Sequence, residues 1–171
     1  MLKQSILAAA IFIALSGTPA LAGALNVFGF ELGWRQDHVL ANISKKGLEV
    51  IERKNLKSEK LNLVSTSGNG FDGYGIYRVD FIFDEKTEKL EHIIVRQEAN
   101  TFDDTSKILD TKYGRNGTVI KGKEYSIGPY SILLSMDFDP QYEKNCAYIS
   151  YSSSSFLRKM AELPSTENTG Y

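Results

Sequence analysis

From position 77 to 83 the apolar Tyr77, Val79, Phe81 and Phe83 alternate with Arg78, Asp80 and Ile82. A period of two predicts a β-strand with the first set turned toward a core. The polar DEKTEK (84–89) then turns the chain into LEHIIVRQ (90–97), so an antiparallel hairpin is expected. A second hairpin follows the same plan: a strand over 130–138, a turn around Asp139-Pro140-Gln141, and a strand over 146–152. Shorter strands are expected over 49–53 and 118–124.

Three segments change to a helical period. Over 34–46 Val39, Leu40 and Ile43 fall on one face, and Gly47 stands where a left-handed residue ends a helix. Over 101–113 Phe102, Leu109 and Tyr113 share a face, and Gly114 stops the helix. Thr101 with Asp104 three residues later predicts a capping box, and Asp103 adds negative charge where the helix dipole favours it. Over 155–163 Phe156, Met160 and Leu163 recur at helical spacing before Pro164.

The order of these elements reads as one unit used twice. Gly47 precedes Val50-Ile51 and Lys54, and Gly117 precedes Val119-Ile120 and Lys123. Glu88-Lys89 lead into the strand with Ile93, and Glu143-Lys144 into the strand with Ile149. The expectation is an α+β class: two similar α-β-β-β halves, about 28–97 and 98–163, forming an antiparallel sheet with helices packed on one face. The step from Gly47 to Tyr77 is much longer than that from Gly117 to Tyr130, so about 55–72 reads as an insertion in the first half.

That insertion ends in SGNGFDGYG (67–75), where Gly68, Gly70 and Gly73 spell G-x-G-x-x-G. The dinucleotide fingerprint needs a strand before it and a helix after it, whose N-terminus receives the pyrophosphate. Here the glycines run into the alternating strand at 77–83, so a phosphate cradle is not expected. A glycine-rich loop on a rigid scaffold is a place for binding instead. Phe71, Asp72 and Tyr74, with Trp34 at the start of the first helix, are the expected contacts for a protein partner, because aromatic side chains anchor interfaces.

Composition narrows the setting. Residues 1–22, MLKQSILAAAIFIALSGTPALA, carry one Lys, an apolar run too short to span a bilayer, helix breakers and Ala20-Leu21-Ala22. They read as a cleaved secretory signal, leaving a single domain over 23–163 and a disordered tail over 164–171. Export to the periplasm or the medium is therefore expected, with no stable membrane anchor. The net charge of −1, with both signs interspersed, offers no basic block, so nucleic acid is not an expected partner. The single cysteine, Cys146, cannot form an internal disulfide, and it reads as buried or as a free thiol. Stability must come from the core, for which 42% hydrophobic residues, with nine Tyr and nine Phe, suffice.

Candidate chemistry is sparse. There is no G-x-S-x-G, and the serines of 152–155 read as turn and capping residues. His38 and His92 lack the spaced partners of a zinc site. Asp137 and Asp139 fall on one side of a strand with Glu143 close by, an oxygen set that fits calcium in kind, although Tyr142 stands where a calcium loop needs glycine. No cofactor is implied and no reaction is specified.

At FGFELGWRQDHVL (28–40) the chain resembles an entry motif of small bacterial envelope proteins, roughly G-x-x-L-G-x-[ST]-x-x-E-V, matched at Gly29, Leu32, Gly33 and Val39. It is similar to outer-membrane-assembly factors and to tandem-repeat β-lactamase inhibitor proteins, which share a helix-plus-antiparallel-sheet unit. Arg35 and His38 depart from the motif, and the chain has neither a lipidation cysteine nor a cysteine pair. The resemblance implies a periplasmic protein whose partner is another protein. The expected function is thus non-enzymatic binding of an inhibitor, immunity or envelope-accessory type. The alternative is a small-ligand or metal-binding module using Asp137, Asp139 and Glu143.

Overall fold

The computed structural model describes residues 25–71, 75–114, 117–119 and 122–163. The expected signal segment (1–22), the tail (164–171), and Asp72 and Tyr74 lie outside these residues.

A two-stranded hairpin, β1 (Asn26–Val27) with β2 (Phe30–Glu31), leads into helix α1 (Gln36–Lys45). Gly47 at φ +67° lets the chain leave α1, as the sequence predicts. Four strands follow: β3 (Val50–Leu56), β4 (Leu61–Ser67), β5 (Ile76–Asp84) and β6 (Leu90–Glu98). A 3₁₀ turn (Ala99–Thr101) feeds α2 (Phe102–Tyr113). Four more strands come next: β7 (Gly117–Val119), β8 (Gly122–Ile127), β9 (Tyr130–Asp139) and β10 (Lys144–Ser153), before α3 (Ser154–Glu162). The fold is α+β.

One antiparallel sheet of eight strands runs β3-β4-β5-β6-β10-β9-β8-β7. Each of α1 and α2 delivers the chain to an outer edge, and a four-strand meander brings it back to the middle. There β6 and β10 pair, from Cys146 opposite Glu98 to Ser152 opposite His92.

Three expectations change. Each of these helices is followed by four strands, not three. The segment read as an insertion contains β4, whose Val64 and Thr66 sit opposite Phe81 and Val79, and the single strand expected over 118–124 is split between β7 and β8. Nor do the helices share a face. α1 (Val39, Ile43), α2 (Leu109) and the β1–β2 hairpin (Val27, Phe30) cover one side, packing on Val64, Phe81, Phe83, Ile93, Val95, Leu134 and Ile149. α3 lies on the other side, where Phe156 and Met160 meet Leu61, Leu63, Ile82 and Ile94. Strands β4, β5 and β6 carry apolar side chains on both faces at this end, so an amphipathic helix can be buried there.

The capping box is also absent. The preceding 3₁₀ turn holds Thr101 near helical dihedrals (φ −87°, ψ −6°), so its hydroxyl donates back to the Glu98 carbonyl at 2.7 Å. An N-cap needs an extended residue. Ser153 meets that requirement for α3, with φ −76° and ψ 154°, and its Oγ accepts from Phe156 N at 3.0 Å. Ser155 donates to Glu91 at 2.6 Å, so the serine run does serve as turn and cap.

Candidate functional site

The face that carries α3 is divided into two zones, and side-chain parity explains both. On β5, Arg78 and Asp80 point to this face, and across the β5–β6 pairing Arg78 sits opposite Arg96. Two like charges directly opposed would repel. The structure resolves this by placing a carboxylate between them. Asp80 Oδ1 accepts Arg78 Nε at 2.6 Å, and its Oδ2 accepts Arg96 Nη2 at 2.8 Å. Arg96 Nη1 reaches Asp139 Oδ2 at 2.8 Å, while Arg78 also binds Glu52 (2.6 Å), Ser65 Oγ (2.8 Å) and Gln141 Oε1 (2.7 Å). Tyr77 OH lies 3.2 Å from Asp139 Oδ2 and 2.5 Å from Cys146 Sγ.

The network is saturated. Arg78, Asp80 and Asp139 are all buried, and each is multiply bonded. Burial opposes the charge on Asp139, yet Arg96, the Gln141 N–H and Tyr77 outweigh it and hold the carboxyl below its usual range. Burial likewise opposes the charge on Arg96, and Asp80 and Asp139 overcome it, raising its pKa. Burial, Cys146 and Asp139 together push the Tyr77 phenol far up, so it stays protonated and donates. Such a network ties β3, β5, β6 and the β9–β10 hairpin together, and losing one partner would strand a buried charge at a cost of roughly 3–5 kcal/mol.

This geometry also removes the expected metal set. The Asp139 oxygens are committed to Arg96, Tyr77 and Gln141 N, and a guanidinium 2.8 Å away opposes a cation. Asp137 is exposed and its Oδ1 accepts from Phe138 N at 2.8 Å, while Glu143 is exposed in the turn at φ +49°. Among the described residues no three His, Cys, Asp or Glu side chains gather as metal ligands.

Of the expected partner contacts, Phe71 and Trp34 lie among the described residues. Phe71 is only 8% exposed, belongs to the main core and meets Phe28 edge-on at 5.3 Å between ring centroids. It is a core residue, not a surface contact, because the chain over 68–71 folds inward. Gly68 N donates to Tyr77 O at 2.9 Å, and Phe71 N to Gly68 O at 3.1 Å. Trp34 is half-buried against the core, stacks on His38 at 4.0 Å and donates Nε1 to Glu31 at 3.1 Å.

The second zone is open. Beyond Tyr148, whose ring lies 5.7 Å from the Arg96 guanidinium carbon, the face becomes a groove of about 870 Å³ between α3 and strands β8, β9 and β10. Phe156, Leu157 and Met160 form its wall, and Leu133 lies in the floor among Ser131, Ser135, Ser150 and Ser152. His92 lies beneath the wall, stacked on Phe156 at 4.4 Å and 7°, with Nδ1 2.8 Å from Ser152 Oγ. Burial lowers its pKa to about 4, so it is neutral near pH 7. Glu124 on β8 lines the far side and accepts from Ser131 Oγ at 3.1 Å. Volume and lining, an apolar wall with a few placed polar groups, fall in the range of small-molecule sites.

Sequence reasoning passed over this groove. Its signals are Ser131, Leu133 and Ser135 on one strand face, Ser150 and Ser152 on the next, and Leu157 beside the apolar stripe of α3. Small hydroxyls at period two read as solvent-facing until a helix is known to flank them. Compared with protein-family models, curated proteins and solved structures, the chain matches none. No helix among the described residues is long and apolar enough to cross a membrane.

Proposed function

We propose that this chain is a non-enzymatic binding protein of the small-ligand kind, and that the groove between α3 and β8–β10 is its site. The observation that carries the reading is the contrast between the two zones of one sheet face. The charged zone is closed and fully paired, whereas the groove is open, and the structure gives Ser135 and Ser150 no side-chain hydrogen-bond partner among the described residues. Leu157, 44% exposed, stands at its lip. A thermal-shift screen of small amphiphiles tests the proposal. A ligand at a hundredfold excess over its Kd should raise the melting temperature by roughly 5–10 °C. The gain should vanish in Leu157→Asp, and a screen with no stabilising compound would count against the groove.

A second reading keeps the protein partner that the resemblance implies, in an inhibitor, immunity or envelope-accessory role. It is favoured by the tip of the β9–β10 hairpin, where Phe138 is 54% exposed and Tyr142 37%. Tyr142 is held edge-on against Tyr77 at 4.8 Å, a preorganised aromatic of the kind found at interface centres. Binding of an envelope protein that is lost in a Phe138→Ser, Tyr142→Ser variant but kept in Leu157→Asp would select it. We further infer that the halves are one helix-plus-four-strand unit used twice, a reading supported by the matched order of elements about the β6–β10 pair. Export rests on residues 1–22, and the N-terminal sequence of the protein recovered from its host checks it.

A further inference from the structure

We propose that the groove takes an amphiphile with a cationic, amine-type head, the apolar body lying along α3 and the head at Glu124. This inference rests on the groove reading given above. The groove is chemically polarised across the strands. Its wall is α3, where Phe156 stacks on His92 of β6, and its other rim at β8 carries Glu124. Antiparallel neighbours sit about 4.8 Å apart, so β8, three strands from β6, lies about 14 Å across the sheet from it. That span bounds the separation between the ligand's apolar and charged parts.

Charge complementarity decides the sign of the head. Among the described residues, no Lys or Arg lines the groove, and Glu124 is its only carboxylate. The nearby cations are engaged elsewhere: Arg96 pairs with Asp80 and Asp139, and Lys159 turns away to Asp84 at 2.8 Å and the Lys60 carbonyl at 2.9 Å. His92 is neutral and already bonded to Ser152. An anionic head would face Glu124 with no counter-charge. A cationic head would pair with it, while Ser131, already donating to Glu124, holds the carboxylate in place. Between wall and rim, the hydroxyls of Ser135 and Ser150 can accept the remaining N–H donors of an ammonium group or bond water beside it.

The test compares three ligands that share one alkyl chain, all below their micelle concentrations: octylammonium, octanoate and octyl glucoside. Calorimetric titration of the wild-type chain is expected to give the strongest binding for octylammonium, weaker for the glucoside and weakest for octanoate. Glu124→Gln, which keeps an acceptor for Ser131, should weaken octylammonium about two- to fivefold at low salt and leave the glucoside unchanged. If octanoate binds as well as octylammonium, or if Glu124→Gln does not alter the amine's affinity, the head-group assignment is overturned while the groove reading stands. If none of the three binds, and the glucoside gives no heat with wild type or Leu157→Asp, the groove reading itself fails, and the inference with it.

Discussion

His92 carries the clearest pH signature in the molecule. Its ring is buried between Ser152 and Phe156, and burial brings its pKa from the ordinary 6.5 to about 4. Between those values the unfolded chain takes up a proton that the native chain refuses, so stability is intact above pH 6.5 and falls as pH falls toward 4. The loss amounts to at most about 3 kcal/mol. Melting temperatures recorded from pH 7 to pH 4 should therefore drop more steeply for the wild type than for His92→Gln, which has no charge to gain. Parallel curves would mean that the charged ring finds a partner in the native fold. Asp84, brought down to about 2 because Lys159 and Thr87 outweigh its burial, loses its contribution from its ordinary 3.8 downward, equally in both variants.

Residues 68–71, just after β4, show how a stretch can look like a binding loop and be part of the core. A Cβ at Gly68 would stand 1.9 Å from the Ile76 carbonyl oxygen, so the two strands close on it without room for any side chain. Gly70 adopts φ +100°, which turns Phe71 back under the sheet. Phe71→Ala should lower stability by about 3 kcal/mol, read as a shift of the urea midpoint with an unchanged slope. A variant as stable as wild type would return Phe71 to the surface role that composition alone assigns it. At the sheet edge, β3 presents Glu52, Arg53 and Lys54 and departs from regular register near Ile51, features that discourage pairing with a second chain.

Over the whole molecule, the β6–β10 pair joins the two four-strand meanders, and Cys146 reports on it. The thiol is buried, lies on β10 between β6 and β9, and accepts from Tyr77 OH at 2.5 Å. A reagent reaches it only when the centre of the sheet opens. Labelling of Cys146 should therefore follow global unfolding across a urea series, with protection as large as the total stability. Fast labelling of the native protein would show that the two meanders separate locally. The groove belongs to this scale too: its wall, floor and rim come from α3, β10, β9 and β8, so no single element contains it.

Alternation and helical spacing along the chain determined the α+β class, the three helices and the two long hairpins, because each depends on side chains only a few residues apart. The turn chemistry of Gly47 and the capping serines was legible for the same reason. Thr101, Phe71 and the acidic set at Asp137, Asp139 and Glu143 were not. Their roles depend on what lies opposite: a preceding 3₁₀ turn, the β1–β2 hairpin, and Arg96 from a strand far earlier in the chain. Which face α3 covers, and hence where a groove remains open, follows from where apolar surface is left after the other helices have packed. Only the tertiary structure decides that, since burial is a property of the assembled sheet and not of any local stretch.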